Sequence, residues 1–165
     1  MIKKICITLI FLTFSYGVYA VSIKQCLFSS MTGVVNFEGK PAAGVKLVRM
    51  VNYNKDVFDE TVTDEQGNFH FPAIFRNNYA GVILPMEFVV LQEITAHVNN
   101  EEVEMWSGTK RSPEENSESR GKPLIVKCDL SQPDVEGIIV NRNIIFSRCT
   151  WDVEPDPERY IPEFL

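Results

Sequence analysis

His70 and His97 are the only histidines in the chain. Two are too few for a three-histidine zinc site, and neither belongs to a two-histidine metal motif. Strand alternation places His97 on the side of Glu93 and Thr95, and His70 opposite Phe69 and Phe71, so both read as solvated strand residues. No serine sits in a nucleophile-elbow motif, and no cysteine has an evident histidine partner. Gly39-x-Pro41 reads as a turn and not a phosphate loop, because the lysine and helix of such loops do not follow it. The carboxylates of Asp56, Asp59, Glu60, Asp64 and Glu65 are dense enough to suggest calcium at one edge, but they lack the spacing of a known loop, and a solvated acidic edge is the favoured reading. The expectation is a protein with no catalytic set, metal or cofactor.

The chain begins MIKKICITLIFLTFSYGVYA, in which two lysines precede a short apolar run that ends in small residues. This has the form of a secretory signal peptide over 1–20, cleaved after Ala20, and the apolar run is too short for a bilayer span. No membrane span is expected once it is removed. Loss of Lys3 and Lys4 takes the net charge from -6 to -8, and so acidic a protein lacks the cationic surplus that nucleic acid binding needs. Cys6 leaves with the signal, so Cys26, Cys128 and Cys149 enter an oxidising compartment, periplasmic or secreted. Three cysteines allow one internal disulfide and leave a spare thiol. Cys128 with Cys149 is the favoured pair, while Cys26 could take either partner; left unpaired, it reads as buried or intermolecular.

What remains is binding. The segment 108–122, GTKRSPEENSESRGK, has no large apolar residue to offset its ordering entropy and is expected to be a mobile loop. Lys110, Arg111 and Arg120 within it, next to Trp106, make a candidate recognition surface, since tryptophan and arginine often anchor interfaces; the alternative is a solvated linker beside a core tryptophan. After Trp151 the sequence turns acidic and proline-rich, and Asp152, Glu154 and Asp156 of this extended tail, 152–165, are the other candidate partner contacts, with a solubilising role as the alternative. A protein partner is expected; the oligomeric state is left open.

The elements that must position these residues are strands. Short alternating or apolar runs recur every eight to fifteen residues between turn signals, with no sustained helical period, so 21–151 reads as one all-β domain of about seven strands. Strands are expected at 31–37, 45–51, 57–63, 68–71, 87–98, 103–107, 124–130, 137–140 and 144–146. Gln92 interrupts the apolar face of 87–98, Asn99-Asn100 marks a hairpin, and 72–85 has no clear period and is left irregular.

GVVNFEGKPAAGVKLVRM and TVTDEQGNFHF, which together span 33–71, resemble the carboxypeptidase regulatory-like, or transthyretin-like, superfamily. Gly33, Gly39, Pro41, Gly44, Thr63, Asp64, Gly67, Phe69 and Phe71 carry the likeness. It implies a prealbumin-like, Ig-like Greek-key β-sandwich in which Gly67 and Asp64 shape a turn and the two phenylalanines enter the core. That superfamily includes a purine-pathway hydrolase whose chemistry depends on histidines, an arginine and a C-terminal Tyr-Arg-Gly-Ser; this chain ends Tyr160-Ile161-Pro162-Glu163-Phe164-Leu165 and has no histidine near its mature start. Residues 84–90, 106–111 and 128–131 look like those of a family of uncharacterised exported bacterial proteins. A fold does not fix an activity. The expected role is a non-enzymatic, exported, protein-binding sandwich, with an immunity or inhibitor protein for an antibacterial effector as the favoured case. An envelope structural module or a carrier of a small apolar ligand are the alternatives.

Overall fold

The computed structural model describes residues 23–78, 87–133 and 137–157, which form thirteen strands and one short 3-10 turn. The leader 1–20 lies outside the described residues. The fold is an all-β sandwich. One layer is a five-stranded sheet in which β2 (Met31–Phe37) is central: its first half pairs with β6 (Asn68–Phe71), its second half with the short β3 (Lys40–Pro41), and its other edge runs parallel to β10 (Leu124–Asp129), which pairs with β13 (Cys149–Trp151). The other layer is an antiparallel six-stranded sheet in the order β11 (Ile138–Val140), β12 (Asn143–Ser147), β9 (Glu101–Lys110), β8 (Val90–Val98), β4 (Lys46–Asn52), β5 (Asp56–Val62). A two-stranded ribbon, β1 (Ile23–Phe28) with β7 (Ile74–Asn78), completes it. Strand β7 falls within a segment that sequence reading left irregular; 79–86 lie outside the described residues.

Alternation fills the interior. Met31, Val35, Phe69, Phe71, Leu124 and Val126 from one sheet and Leu47, Val51, Val90, Ile94, Trp106 and Ile145 from the other form one buried cluster. Where Ile94 pairs with Trp106 and Thr95 with Glu104, Met105 is the extra residue of a bulge, and Met105 and Trp106 are consecutive in sequence yet both buried. Gly33 is required by close approach: a Cβ there would lie 2.2 Å from the Val126 carbonyl oxygen across the parallel pair. Gly67 is required twice over, by its φ of +77° and by the Val35 carbonyl oxygen 2.4 Å from an added Cβ. Beside it Asp64 accepts the N–H groups of Gln66 and Asn68 at 2.9 and 2.8 Å, and Asn68, through both side chain and backbone, holds its carboxyl below the usual carboxylate range. Asn99 and Asn100, both at positive φ, close the β8–β9 hairpin, and Asn141 and Arg142 do the same between β11 and β12.

Cys128 and Cys149 are joined across the β10–β13 pair, and Cys26 is a buried free thiol.

Candidate functional site

Segment 108–122, expected as a loop, carries regular structure of its own. Residues 108–110 continue β9, and the rest wraps around Ser117–Ser119, a 3-10 turn whose three side chains are all buried. Inward alternation on β9 carries Lys110 into the interior with Trp106, and neither is solvent-accessible. These two residues therefore cannot form the recognition surface suggested by their types. The loop is ordered by polar atoms. Lys110 Nζ donates to Glu118 Oε2 at 2.6 Å, Ser117 Oγ at 2.6 Å and the Glu114 carbonyl at 2.9 Å, so all three ammonium protons are used. Glu118 also accepts from Ser29 Oγ at 2.7 Å, Ser29 N at 3.3 Å and Gln92 Nε2 at 3.0 Å. Gln92 thus interrupts its apolar face in order to meet a buried carboxylate. Burial by itself would raise the Glu118 pKa; the Lys110 charge and the donors from Lys110, Gln92 and Ser29 outweigh it and hold the group below the usual carboxylate range.

Cys26 borders this cluster, 3.8 Å from Ser29 Oγ. Burial pushes its thiol pKa up despite the opposing Lys110 charge, which leaves it protonated at neutral pH. Lys110 and Glu118 are both fully buried, and the chemistry open to this cluster is that of a latch holding the loop to the sandwich.

The acidic tail, as far as it is described, also pairs with the rest of the chain. Asp156 pairs with Arg120 at 2.6 Å and accepts the backbone N–H groups of Asn141 and Arg142 at 2.8 and 3.0 Å, while Asp152 pairs with Lys122 at 2.7 Å. Arg120 Nε donates to the Glu154 carbonyl at 2.7 Å. Arg120, Asp152, Glu154 and Asp156, proposed from sequence as partner contacts, bind loop to tail within the chain. Arg111 faces solvent and pairs with Glu87 at 2.8 Å.

The acidic edge is likewise engaged. Asp59 grips the buried Arg49 through two bonds of 2.8 and 2.5 Å, Glu60 pairs with Lys46, Asp56 accepts from Asn52, and Asp64 serves its own turn. Arg49 is held further by the Pro72 carbonyl and by the Phe28 and Phe71 rings, 5.0 and 4.6 Å from its guanidinium carbon. Among the described residues no group of three or more His, Cys, Asp or Glu side chains is placed to hold a metal ion.

The surface that remains unexplained is the outer face of the six-stranded sheet. Pairing places Phe58 beside Met50, Leu91 beside Thr109, Thr109 beside Ile144 and Ile144 beside Ile139. Phe58, Leu91, Ile144, Phe146 and Ile139 are between 36% and 63% exposed. Met50, Leu91, Ile144 and Phe146 line a shallow groove of about 430 Å³. On the same face Glu93, Glu102 and Glu104 outnumber Lys46, which Glu60 already neutralises. Sequence reading missed this stripe because Ile144, Ile145 and Phe146 are consecutive and apolar; alternation puts Ile145 in the core and its neighbours outside.

Residues 31–133 match a family described as a domain of unknown function, DUF6795. No curated protein matches the chain, and no solved structure does. The matched span contains Met50 and Leu91 on one side of the groove, and Ile144 and Phe146 lie beyond it.

Proposed function

We propose that this chain, which belongs to the DUF6795 family, is an exported, non-enzymatic sandwich that binds a protein partner through the outer face of its six-stranded sheet. The observation that carries this reading is the apolar stripe of Phe58, Leu91, Ile139, Ile144 and Phe146, laid across strands whose other faces already fill a core. An exposed apolar patch of this kind, interrupted by Glu93, Ser107 and Thr109, marks a contact surface more often than a bare exterior. The glutamates beside it fit a partner that has an apolar contact area with a basic rim, and their charge acts mainly on the rate of encounter. Export is supported by the disulfide between Cys128 and Cys149 and by the form of 1–20. The favoured role is that of an immunity or inhibitor protein which covers an exported antibacterial effector. A transthyretin-like class for the sandwich is proposed on the motif from Gly33 to Phe71, with its two glycine-dependent approaches and buried Phe69 and Phe71.

The test is a comparative capture from the envelope and medium of the source cells, with the wild-type chain and a Leu91→Asp/Phe146→Asp variant as baits. Both positions are outside the core, so the variant is expected to keep the wild-type circular dichroism. One exported protein retained by the wild type, lost from the variant and inhibited in its own activity on rebinding would support the reading. Equal retention by both baits would refute the assignment of the face, and a retained partner whose activity is unchanged would refute the inhibitor role.

A further inference from the structure

The β1–β7 ribbon and the turn of the β4–β5 hairpin enclose a second concave surface, distinct from the sheet face. It measures about 490 Å³, within the range of small-ligand sites, and Leu27, Val57, Ile74, Phe75 and the Tyr53 ring supply its apolar walls. Two cations, Lys55 and Arg76, line the same cleft. The guanidinium carbon of Arg76 lies 4.6 Å from the centre of the Tyr53 ring, and that ring packs on Phe88 at 5.3 Å, so the arginine rests on a fixed aromatic platform. Lys24 Nζ lies over the Phe75 ring, 3.8 Å from its centre, and is not one of the lining residues.

The chain carries a net charge of -6. Among the described residues six ion pairs engage Lys46, Arg49, Lys110, Arg111, Arg120 and Lys122, and Lys55 and Arg76 of the cleft, like Lys40, Lys127 and Arg142 elsewhere, are in none. Two cations thus line one apolar cleft with aromatic rings, and among the described residues neither has a carboxylate partner. An apolar cavity with a few convergent charged groups selects a ligand that has both properties. An arginine on an aromatic platform is suited to receive a planar oxyanion.

We propose that this cleft binds a small amphipathic carboxylate, with its apolar chain or ring against Leu27, Val57 and Ile74 and its carboxylate between Lys55 and Arg76. This activity is independent of the protein-contact face and would stand if that face were refuted.

The experiment uses protein produced from the full 165-residue coding sequence, labelled with nitrogen-15, and follows amide shifts during titration with dodecanoate below its micelle threshold, with dodecan-1-ol as the uncharged control. The expected result is saturable movement of the amides of Tyr53, Asn54, Lys55, Phe75 and Arg76. Affinity should fall at least about tenfold for dodecanol and for Arg76→Glu, the loss that one charge-assisted hydrogen bond implies. Lys55→Glu, at an exposed turn position with no packing to lose, is the second variant and should weaken binding in the same direction. No movement of these amides, movement confined to the Leu91–Phe146 face, or equal affinity for the acid, the alcohol and the Lys55→Glu protein would each overturn the proposal.

Discussion

Replacing Glu118 with glutamine removes one negative charge and almost no volume, and its cost follows from the donors around it. Lys110 Nζ, Gln92 Nε2, Ser29 N and Ser29 Oγ all point hydrogens at the carboxylate. A glutamine amide offers one acceptor oxygen where two stood, and its NH2 group must face other donors. Lys110, fully buried, would keep only the Ser117 hydroxyl and the Glu114 carbonyl. Breaking a buried ion pair from one side costs about 3–5 kcal/mol. With a urea dependence of about 2 kcal/mol/M, the unfolding midpoint should drop by about 2 M. Trypsin should then cut the native variant after Arg111 or Arg120, because the loop has lost its latch. The wild-type advantage depends on pH with a definite sign. Glu118 titrates below its ordinary value of 4.5 in the folded state, so its contribution is present above that value and is lost as pH falls through the folded pKa. The midpoints of wild type and Glu118→Gln should therefore converge in acid. A cost under about 1 kcal/mol at neutral pH, the range of an exposed pair, would refute the buried latch.

Three further outcomes follow from the packing. Replacing both Cys128 and Cys149 with alanine frees a loop with a sequence separation of 21, and equilibrium unfolding should show a loss of about 3 kcal/mol; an unchanged midpoint would count against the pairing. Gly33→Ala forces a Cβ against the Val126 carbonyl, and overpacking of this sort costs about 1–3 kcal/mol by thermal or urea unfolding; a neutral substitution would contradict the close β2–β10 approach. Cys26, buried and with its thiol pKa raised, should resist alkylation in the native protein at neutral pH and react in Glu118→Gln, as read by intact mass; rapid native labelling would show that the loop does not cover it.

Much of the sheet framework was legible in the sequence because turns and alternation agree there. The bounds expected for β2 and β6 match those observed, since a Glu-Gly-Lys-Pro turn ends the first and Asp64 to Gly67 introduces the second. The ribbon was not legible: β1 reads IKQCLF and β7 reads IFRNN, short segments without a clean period whose strand character comes from pairing with each other. The loop 111–122 misleads for a different reason. Sequence reading weighs order by apolar content, whereas here a lysine, a glutamate and serines supply it, and their partners Ser29 and Gln92 are distant in the chain. The same blindness made Trp106 and Lys110 look like surface anchors. The tail looked free because its acids were counted as charge, without the cations of 120–122 that receive them. The outer apolar stripe was hidden because residue type alone assigns Ile139, Ile144 and Phe146 to a core, and only the pairing register shows which side they occupy.

The central claim, that a protein partner sits on the outer face of the six-stranded sheet, is tested most directly by site-specific photo-crosslinking in the source cells. A photoreactive phenylalanine analogue would be placed in turn at Leu91, at Phe146 and at His70, which is exposed on the opposite sheet. The account predicts that the analogues at Leu91 and Phe146 attach to the same exported protein and that the one at His70 does not. Crosslinks from His70 alone, equal crosslinks from all three, or none from Leu91 and Phe146 would contradict it.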